Sequence, residues 1–148
     1  MEVTMGAPVV HFEIIGKSGS ALQEFYAKAF DWKIDANNPM KYGLVKNEKG
    51  GIGGGIGSPE EGRPGYVTVY AEVDDPDAYL RKIESLGGKT VMPTTEIPGM
   101  VTFALFSDPD GNMVGLVKSE PKPAPKRKPA RKAAKKPARK AGRKRRSR

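Results

Sequence analysis

The chain has 148 residues and a net charge of +9, with 26 Lys and Arg residues against 17 Asp and Glu residues. It contains no cysteine, which excludes disulfides, zinc–thiolate centres and thiol catalysis. No window approaches the ~18 apolar residues that a membrane-spanning helix needs, and the N-terminal segment lacks the apolar run of a signal peptide, so we expect a cytoplasmic protein.

The charge is divided unevenly along the chain. Residues 1–117 carry ten basic and sixteen acidic side chains, a net charge of −6, whereas residues 118–148 carry sixteen basic side chains and one acid, a net charge of +15. This asymmetry indicates an acidic folded body followed by a basic arm. We therefore predict one domain over residues 1–118 and a disordered tail over residues 119–148.

The first half of the body has the pattern of a strand, a helix and further strands. Residues 8–15 are rich in β-branched and apolar side chains, which favours a strand. Ser20 and Gln23 have the spacing of a capping box, so we expect a helix to start there. A further strand is predicted over residues 40–46. The glycine-rich run 51–57 lacks the phosphate-loop pattern, and it favours either a strand that a flat ligand can approach or a kinked strand at a dimer contact.

The second half repeats this pattern after a polar connection at residues 58–65. Residues 66–73 are predicted as a strand, and Asp75 followed by Pro76 predicts a helix N-terminus. The turn-forming sequence at residues 108–112 predicts a hairpin. The remaining predicted strands cover residues 89–92, 101–106 and 113–118.

The order strand, helix, strands thus occurs twice, over about residues 8–57 and 66–118. His11 and Thr68 hold matching places about 57 residues apart, which indicates an internal repeat. Because crossover connections within a sheet are right-handed, two such units can set their sheets side by side around a concave trough. The predicted class is therefore α+β, with two βαβββ half-domains that form one mixed-sheet trough.

Four segments resemble the vicinal oxygen chelate superfamily of glyoxalases, bleomycin-resistance proteins and dioxygenases, in the branch related to lactoylglutathione lyase. They are HFEI (11–14), FYAKAFDWKI (25–34), YAEVDDPDAYLRKIESLGG (70–88) and IPGMVTFALFSDPDGNMVGL (97–116). The resemblance implies the paired βαβββ fold and often a homodimer. In metal-dependent members it also implies a divalent ion held by four side chains, which chelates adjacent substrate oxygens and either stabilises an enolate or activates dioxygen.

Most of the implied metal ligands are absent from this chain. His11 fits the first ligand position, but Thr68 stands where a second His is usual, and Gly115 stands where a Glu is usual. The glycine run offers no acid for the remaining position. One imidazole falls short of the three or four protein ligands that divalent sites use, although strand alternation puts Glu13 on the same face as His11.

The sequence therefore leaves three roles open for His11: ligand of a divalent metal, metal-free general base, or hydrogen-bonded strand residue. We assign His11 as the candidate catalytic residue and the candidate metal ligand. Thr68, Glu13 and Gly54 are the candidate substrate-binding residues. Whether the domain is a lyase-type or dioxygenase-type enzyme stays undecided.

The tail from Glu120 onward contains only Lys, Arg, Pro, Ala, Gly and Ser after that single acid, and it resembles the tails of linker histones and bacterial histone-like proteins. Its charge predicts disorder and non-specific binding of DNA or RNA, which would associate the protein with a nucleoid or nucleus. A solubilising segment, a localisation signal and binding to acidic membranes stay open. The candidate nucleic-acid-binding residues are Lys126, Arg127, Lys128, Arg131, Lys132, Lys135, Lys136, Arg139, Lys140, Arg143, Lys144, Arg145 and Arg146.

Two functions follow from these observations. In the first, a glyoxalase-like domain binds or converts a small molecule while its tail holds it on nucleic acid. In the second, the domain has lost its metal and is a non-catalytic dimeric module of a histone-like protein, whose paired tails would raise avidity.

Overall fold

The computed structural model describes residues 5–46 and 48–120, so the predicted nucleic-acid-binding tail lies outside the described residues. Neither helix of the described part is long and apolar enough to cross a membrane. The elements follow the order β1 (Val9–Ile15), α1 (Gly19–Phe30), β2 (Ile34–Asp35), β3 (Gly43–Val45), β4 (Gly53–Gly57), β5 (Tyr66–Val73), α2 (Pro76–Ser85), β6 (Lys89–Ile97), β7 (Val101–Ser107) and β8 (Met113–Lys118).

All eight strands belong to one mixed sheet in the order β2-β3-β4-β1-β5-β8-β7-β6, which confirms the predicted α+β architecture. The first strands of the two halves, β1 and β5, pair antiparallel at its centre, with His11 opposite Tyr70 and Glu13 opposite Thr68. Each then pairs in parallel with the last strand of its own half. The offset of about 57 residues that relates His11 to Thr68 also relates Glu13 to Tyr70, so a local two-fold axis passes between β1 and β5.

Both helices pack on the same face of the sheet. Val73, Ala104 and Leu116 form a buried cluster with Leu80 of α2. On the side of α1, Trp32 packs against an aromatic group that comprises Phe12, Tyr26 and Phe30. Because side chains alternate along a strand, the neighbours of these core residues point to the opposite, helix-free face, which is called the trough face below.

The helix α1 starts earlier than the predicted capping box implies, so that prediction is wrong. Ser18 is the N-cap, with extended backbone and a side-chain oxygen that accepts from the Ala21 amide at 3.4 Å. The chain can turn here because the Gly19 amide donates to Ser58 Oγ at 2.8 Å and Gly19 lies against the end of β4. Gln23 instead points inward and donates to the carbonyl of Ile56 at 2.8 Å.

Two predicted strands differ in length from those observed. The strand predicted over 40–46 shrinks to β3, because Lys41 adopts φ 51 in a turn that precedes it. The strand predicted over 89–92 extends to Ile97 as β6, through two register shifts against β7. The N-cap at Asp75 and the hairpin turn around Asp108 are confirmed.

Candidate functional site

The centre of the trough face holds one buried carboxylate with three tyrosine hydroxyls bonded to it. Tyr66 Oη and Tyr70 Oη donate to Glu13 Oε1 at 2.8 and 2.9 Å, and Tyr42 Oη donates to Glu13 Oε2 at 2.7 Å. His11 Nε2 lies 3.0 Å from the same Tyr42 oxygen. These five residues are called the Glu13 cluster below. Among the residues that the structure describes, no other carboxylate accepts from three side-chain donors.

Strand alternation brings most of the Glu13 cluster together. His11 and Glu13 are two residues apart in β1, and Tyr66 and Tyr70 share one face of β5, so all four side chains point from the central pair of strands into the trough face. Tyr42 comes from the turn before β3. Asn38 fixes that turn, since its side chain accepts from the Tyr42 amide at 2.9 Å and donates to the Tyr42 carbonyl at 2.7 Å.

Two glycines leave room for the tyrosine rings. A Cβ at Gly55 would overlap the Tyr42 ring, and a Cβ at Gly115 would overlap the Tyr70 ring. Glycine in a strand often marks close approach by another group, and here that group is a tyrosine of the same chain. This gives a physical reason for the missing acid at Gly115: the space of a side chain there is filled by Tyr70.

The tyrosines are held in their neutral, donating form. Burial raises the pKa of Tyr70 and of Tyr42 well above the usual range, and the neighbouring Glu13 carboxylate raises both further. The pKa of Tyr66 is raised for the same two reasons, in the same order. A phenol that stays protonated is a permanent hydrogen-bond donor, so the carboxylate keeps three donors throughout the physiological pH range.

His11 is held as a neutral imidazole. Burial lowers its pKa, and the Coulombic effect of Glu13 opposes this only in part. Tyr42 has one hydroxyl hydrogen, which it donates to Glu13, so its oxygen accepts from His11 and the proton of the neutral ring is assigned to Nε2. The ring also packs edge-on against Tyr70, with 5.6 Å between ring centroids.

The other two predicted substrate-binding residues, Thr68 and Gly54, form no side-chain hydrogen bond with the Glu13 cluster. Thr68 is buried opposite Glu13, but its hydroxyl donates to the carbonyl of Met113 at 2.7 Å and so links β5 to β8. Gly54 is not brought to the Glu13 cluster, because its Cβ direction meets the Phe12 ring on the helix-bearing face.

The residues do not fit the divalent metal that the resemblance implies. Among the described residues, no group of three or more His, Cys, Asp and Glu side chains converges on a point. Both oxygens of Glu13 and the Nε2 atom of His11 already have tyrosine partners. Two ligands with these partners are too few for a divalent ion, so no step of the chemistry below involves a metal.

The sequence alone did not reveal the three tyrosines of this site. Tyr66 and Tyr70 had a detectable signal, because strand alternation puts them on the face of Thr68, which was already assigned to the site. Tyr42 had none, since its position depends on the turn at Asn38 and on the space above Gly55.

The paired βαβββ sheet with a polar cluster at its centre defines a small α+β domain of the glyoxalase-like class. Residues 9–116 match the family model described as the Glyoxalase/Bleomycin resistance protein/Dioxygenase superfamily. This match covers well over half of the chain, and the chain belongs to this superfamily.

Two relatives come from Mycobacterium tuberculosis and Streptomyces peucetius. The chain is 33% identical over 83 residues, 56% of its length, to CFP32 of Mycobacterium tuberculosis (strain CDC 1551 / Oshkosh), which carries the provisional name of a glyoxylase. It is 37% identical over 57 residues, 38% of its length, to the anthracycline biosynthesis protein DnrV of Streptomyces peucetius. The matches cover only 32% and 21% of these relatives, so the chain spans about a third or less of their length.

A solved structure shares the fold. Methylmalonyl-CoA epimerase from Mycobacterium tuberculosis superposes with a TM-score of 0.59 at 16% sequence identity, over 82% of this chain and 95% of the epimerase chain. At this identity the likeness shows the fold alone.

Proposed function

We propose that the domain binds a small molecule on its trough face, at the Glu13 cluster, without a metal ion. The observation that carries this proposal is a buried carboxylate whose two oxygens accept three tyrosine hydroxyls at the centre of the trough face. A few polar groups that converge on one point among aromatic side chains are typical of a binding site. Membership of a superfamily whose members bind small-molecule ligands supports the proposal of a ligand, without fixing its location.

The cluster has a buried floor and an accessible rim, as a binding site requires. Glu13 and Tyr70 are buried, with 8% and 6% of their surfaces exposed. His11, Tyr42 and Tyr66 are only half-buried, so their edges can contact a ligand. In this proposal His11 is a neutral hydrogen-bonding group or general base and not a metal ligand.

The metal-free part of the proposal is tested by thermal melts of the full chain with Mg²⁺, Mn²⁺, Fe²⁺, Ni²⁺, Co²⁺ and Zn²⁺ in turn. A metal present at 100 times its Kd would stabilise the folded state by about 2.7 kcal/mol, which is a shift of several degrees. We expect no saturable shift that depends on His11. A shift that is present in the wild type and lost in His11→Ala would show that a metal site exists.

Ligand binding is tested by a fragment screen that follows the backbone amide resonances of the full chain. We expect binders to perturb the amides of β1 and β5, and His11→Ala to weaken these perturbations. Binders that perturb only other parts of the chain would contradict the proposal.

We also propose that the basic tail binds nucleic acid non-specifically. The sixteen basic side chains of residues 118–148 support this, because each cation that replaces a condensed counterion contributes to affinity. Fluorescence anisotropy with DNA and RNA of several sequences would compare the full chain with a truncation after Ser119. Similar affinity for all sequences is expected, and a truncated chain that binds as tightly as the full chain would refute the assignment to the tail.

The alternative function, a non-catalytic dimeric histone-like protein, makes a different prediction. If the domain serves only to pair two tails, a change in the Glu13 cluster that leaves the dimer intact will not change any cellular or biochemical activity. If the domain binds a ligand, Glu13→Gln will abolish that binding while DNA affinity stays the same. Sedimentation combined with both binding assays separates the two functions.

A further inference from the structure

We infer that the trough face selects an organic cation, such as a protonated amine attached to an apolar or aromatic group. This inference rests on the proposed function and names the class of ligand. It is drawn from three features of the Glu13 cluster: a buried carboxylate that has no cationic partner among residues 5–46 and 48–120, aromatic rings next to it, and the absence of basic side chains from the trough face of the strands that carry it.

Within the described part of the chain, Glu13 is bonded by tyrosine hydroxyls and by no cation. The salt bridges of the described residues are Lys28–Glu24 and Arg63–Glu60, and neither involves Glu13. Neutral hydroxyl donors carry no positive charge that would offset the charge of a carboxylate, and a low local dielectric strengthens the interaction of that charge with a nearby group. The cluster therefore provides a negative potential to any group that reaches it.

Aromatic rings border this carboxylate on several sides. Tyr42 and Tyr70 lie with their ring centroids 6.3 and 5.6 Å from that of His11, and Phe103 lies 6.5 Å from Tyr70. The faces of such rings attract cations, by ~0.5–1 kcal/mol at exposed sites and about 2 kcal/mol where water is excluded. A phenol oxygen that has donated its hydrogen to Glu13 also keeps lone pairs that an ammonium group can use.

No basic side chain opposes a cation on the central strands. The register of β1, β4, β5 and β8 places no Lys or Arg on their trough face, whereas it places a further acid, Glu72, on that face two residues beyond Tyr70. Arg63, in the connection before β5, has a small lowering effect on the pKa of Tyr66. Its guanidinium is paired with Glu60 at 3.4 Å. A phosphate or carboxylate ligand would thus meet like charge, whereas an amine would meet unlike charge.

Three probes that share a benzene ring and differ in charge test this inference. They are 2-phenylethylamine as the cation, 2-phenylethanol as the neutral analogue and phenylacetate as the anion. Amide resonances of the full chain are followed during titration at neutral pH. We expect the cation to bind at least tenfold more tightly than the neutral probe, with the perturbations centred on β1, β5 and β8, and the anion to bind weakest.

Two variants assign the preference to the carboxylate. Glu13→Gln keeps the size of the side chain and removes its charge, so the cation should lose its tenfold advantage. Glu24→Gln is the matched control, because it removes the same charge from an exposed position on α1 and should leave the preference unchanged. Leu44→Lys adds a cation at an exposed position opposite Gly55 and leaves Glu13 unchanged, and it should also abolish the preference.

The outcomes separate this inference from the proposed function. Binding of the neutral or anionic probe at β1 and β5 with equal or greater affinity would overturn the cation preference and leave the ligand site intact. A preference that survives both Glu13→Gln and Leu44→Lys would also overturn it. Failure of all three probes to perturb the trough face would overturn both.

Discussion

Removal of a single hydroxyl from the Glu13 cluster tests whether its hydrogen bonds stabilise the fold. Tyr70→Phe keeps the ring in the space above Gly115 and removes only the donor that lies 2.9 Å from Glu13 Oε1. A hydrogen bond to a charged group contributes about 1.5–3 kcal/mol, and the full value applies where water cannot replace the lost donor. Tyr70 is only 6% exposed, so we expect a loss of about 2 kcal/mol in the free energy of unfolding.

Tyr66→Phe is the matched comparison, because Tyr66 donates to the same oxygen at 2.8 Å. Tyr66 is only half-buried, so water can take the place of its hydroxyl and the loss should be about 0.5–1 kcal/mol. Urea unfolding of both variants, followed by tryptophan fluorescence or circular dichroism, measures the two losses. The denaturant dependence should be unchanged, and only the midpoint should move.

A double-mutant cycle identifies the partner of the Tyr70 hydroxyl. In a Glu13→Gln background the acceptor is neutral, so the cost of Tyr70→Phe should fall to about 1 kcal/mol. The reasoning is refuted if Tyr66→Phe costs as much as Tyr70→Phe, or if the cost of Tyr70→Phe is the same in both backgrounds.

Three further predictions concern other parts of the chain. Gly55→Ala should displace Tyr42 and lower the free energy of unfolding by about 2 kcal/mol, whereas Gly6→Ala, where a Cβ meets nothing within 4 Å, should leave it unchanged in the same urea assay. Because burial lowers the pKa of His11, the unfolded state binds a proton at this side chain more readily than the folded state. The free energy of unfolding should therefore fall as the pH drops below about 6.5. Urea titrations of His11→Gln should show a smaller fall. DNA affinity of the full chain should drop by about 10³–10⁵ between 50 and 200 mM salt if the tail engages six to ten phosphates, and a flat salt profile in fluorescence anisotropy would contradict electrostatic binding.

The fold could be predicted from the sequence because its signals are local and occur twice. The apolar pattern of β1, the N-cap at Asp75 and the turn at Asp108 each act within a few residues, and the structure confirms all three. The start of α1 could not be predicted in the same way. It depends on a contact between Gly19 and Ser58, which are distant in sequence, and this contact takes precedence over the local spacing of Ser20 and Gln23.

Only part of the candidate site could be predicted from the sequence, for a similar reason. His11 and Glu13 could be selected because strand alternation and the resemblance both pointed to them. Strand alternation could have added Tyr66 and Tyr70, which share the face of Thr68, but no local pattern links Tyr42, which comes from a turn, to Glu13. Even the glycines were ambiguous, since a missing Cβ leaves room equally for a ligand, for a second protein chain or for a ring of the same chain.

The local two-fold axis between β1 and β5 has a consequence for how the two halves recognise each other. Glu13 and Tyr70 hold equivalent places about this axis, yet one is a hydrogen-bond acceptor and the other is its donor. Two copies of the first half would bring two carboxylates together, and two copies of the second half would leave two phenols without an acceptor. The duplicated units have thus become a complementary pair in which neither can replace the other, so a change that exchanges or repeats one half should fail to assemble.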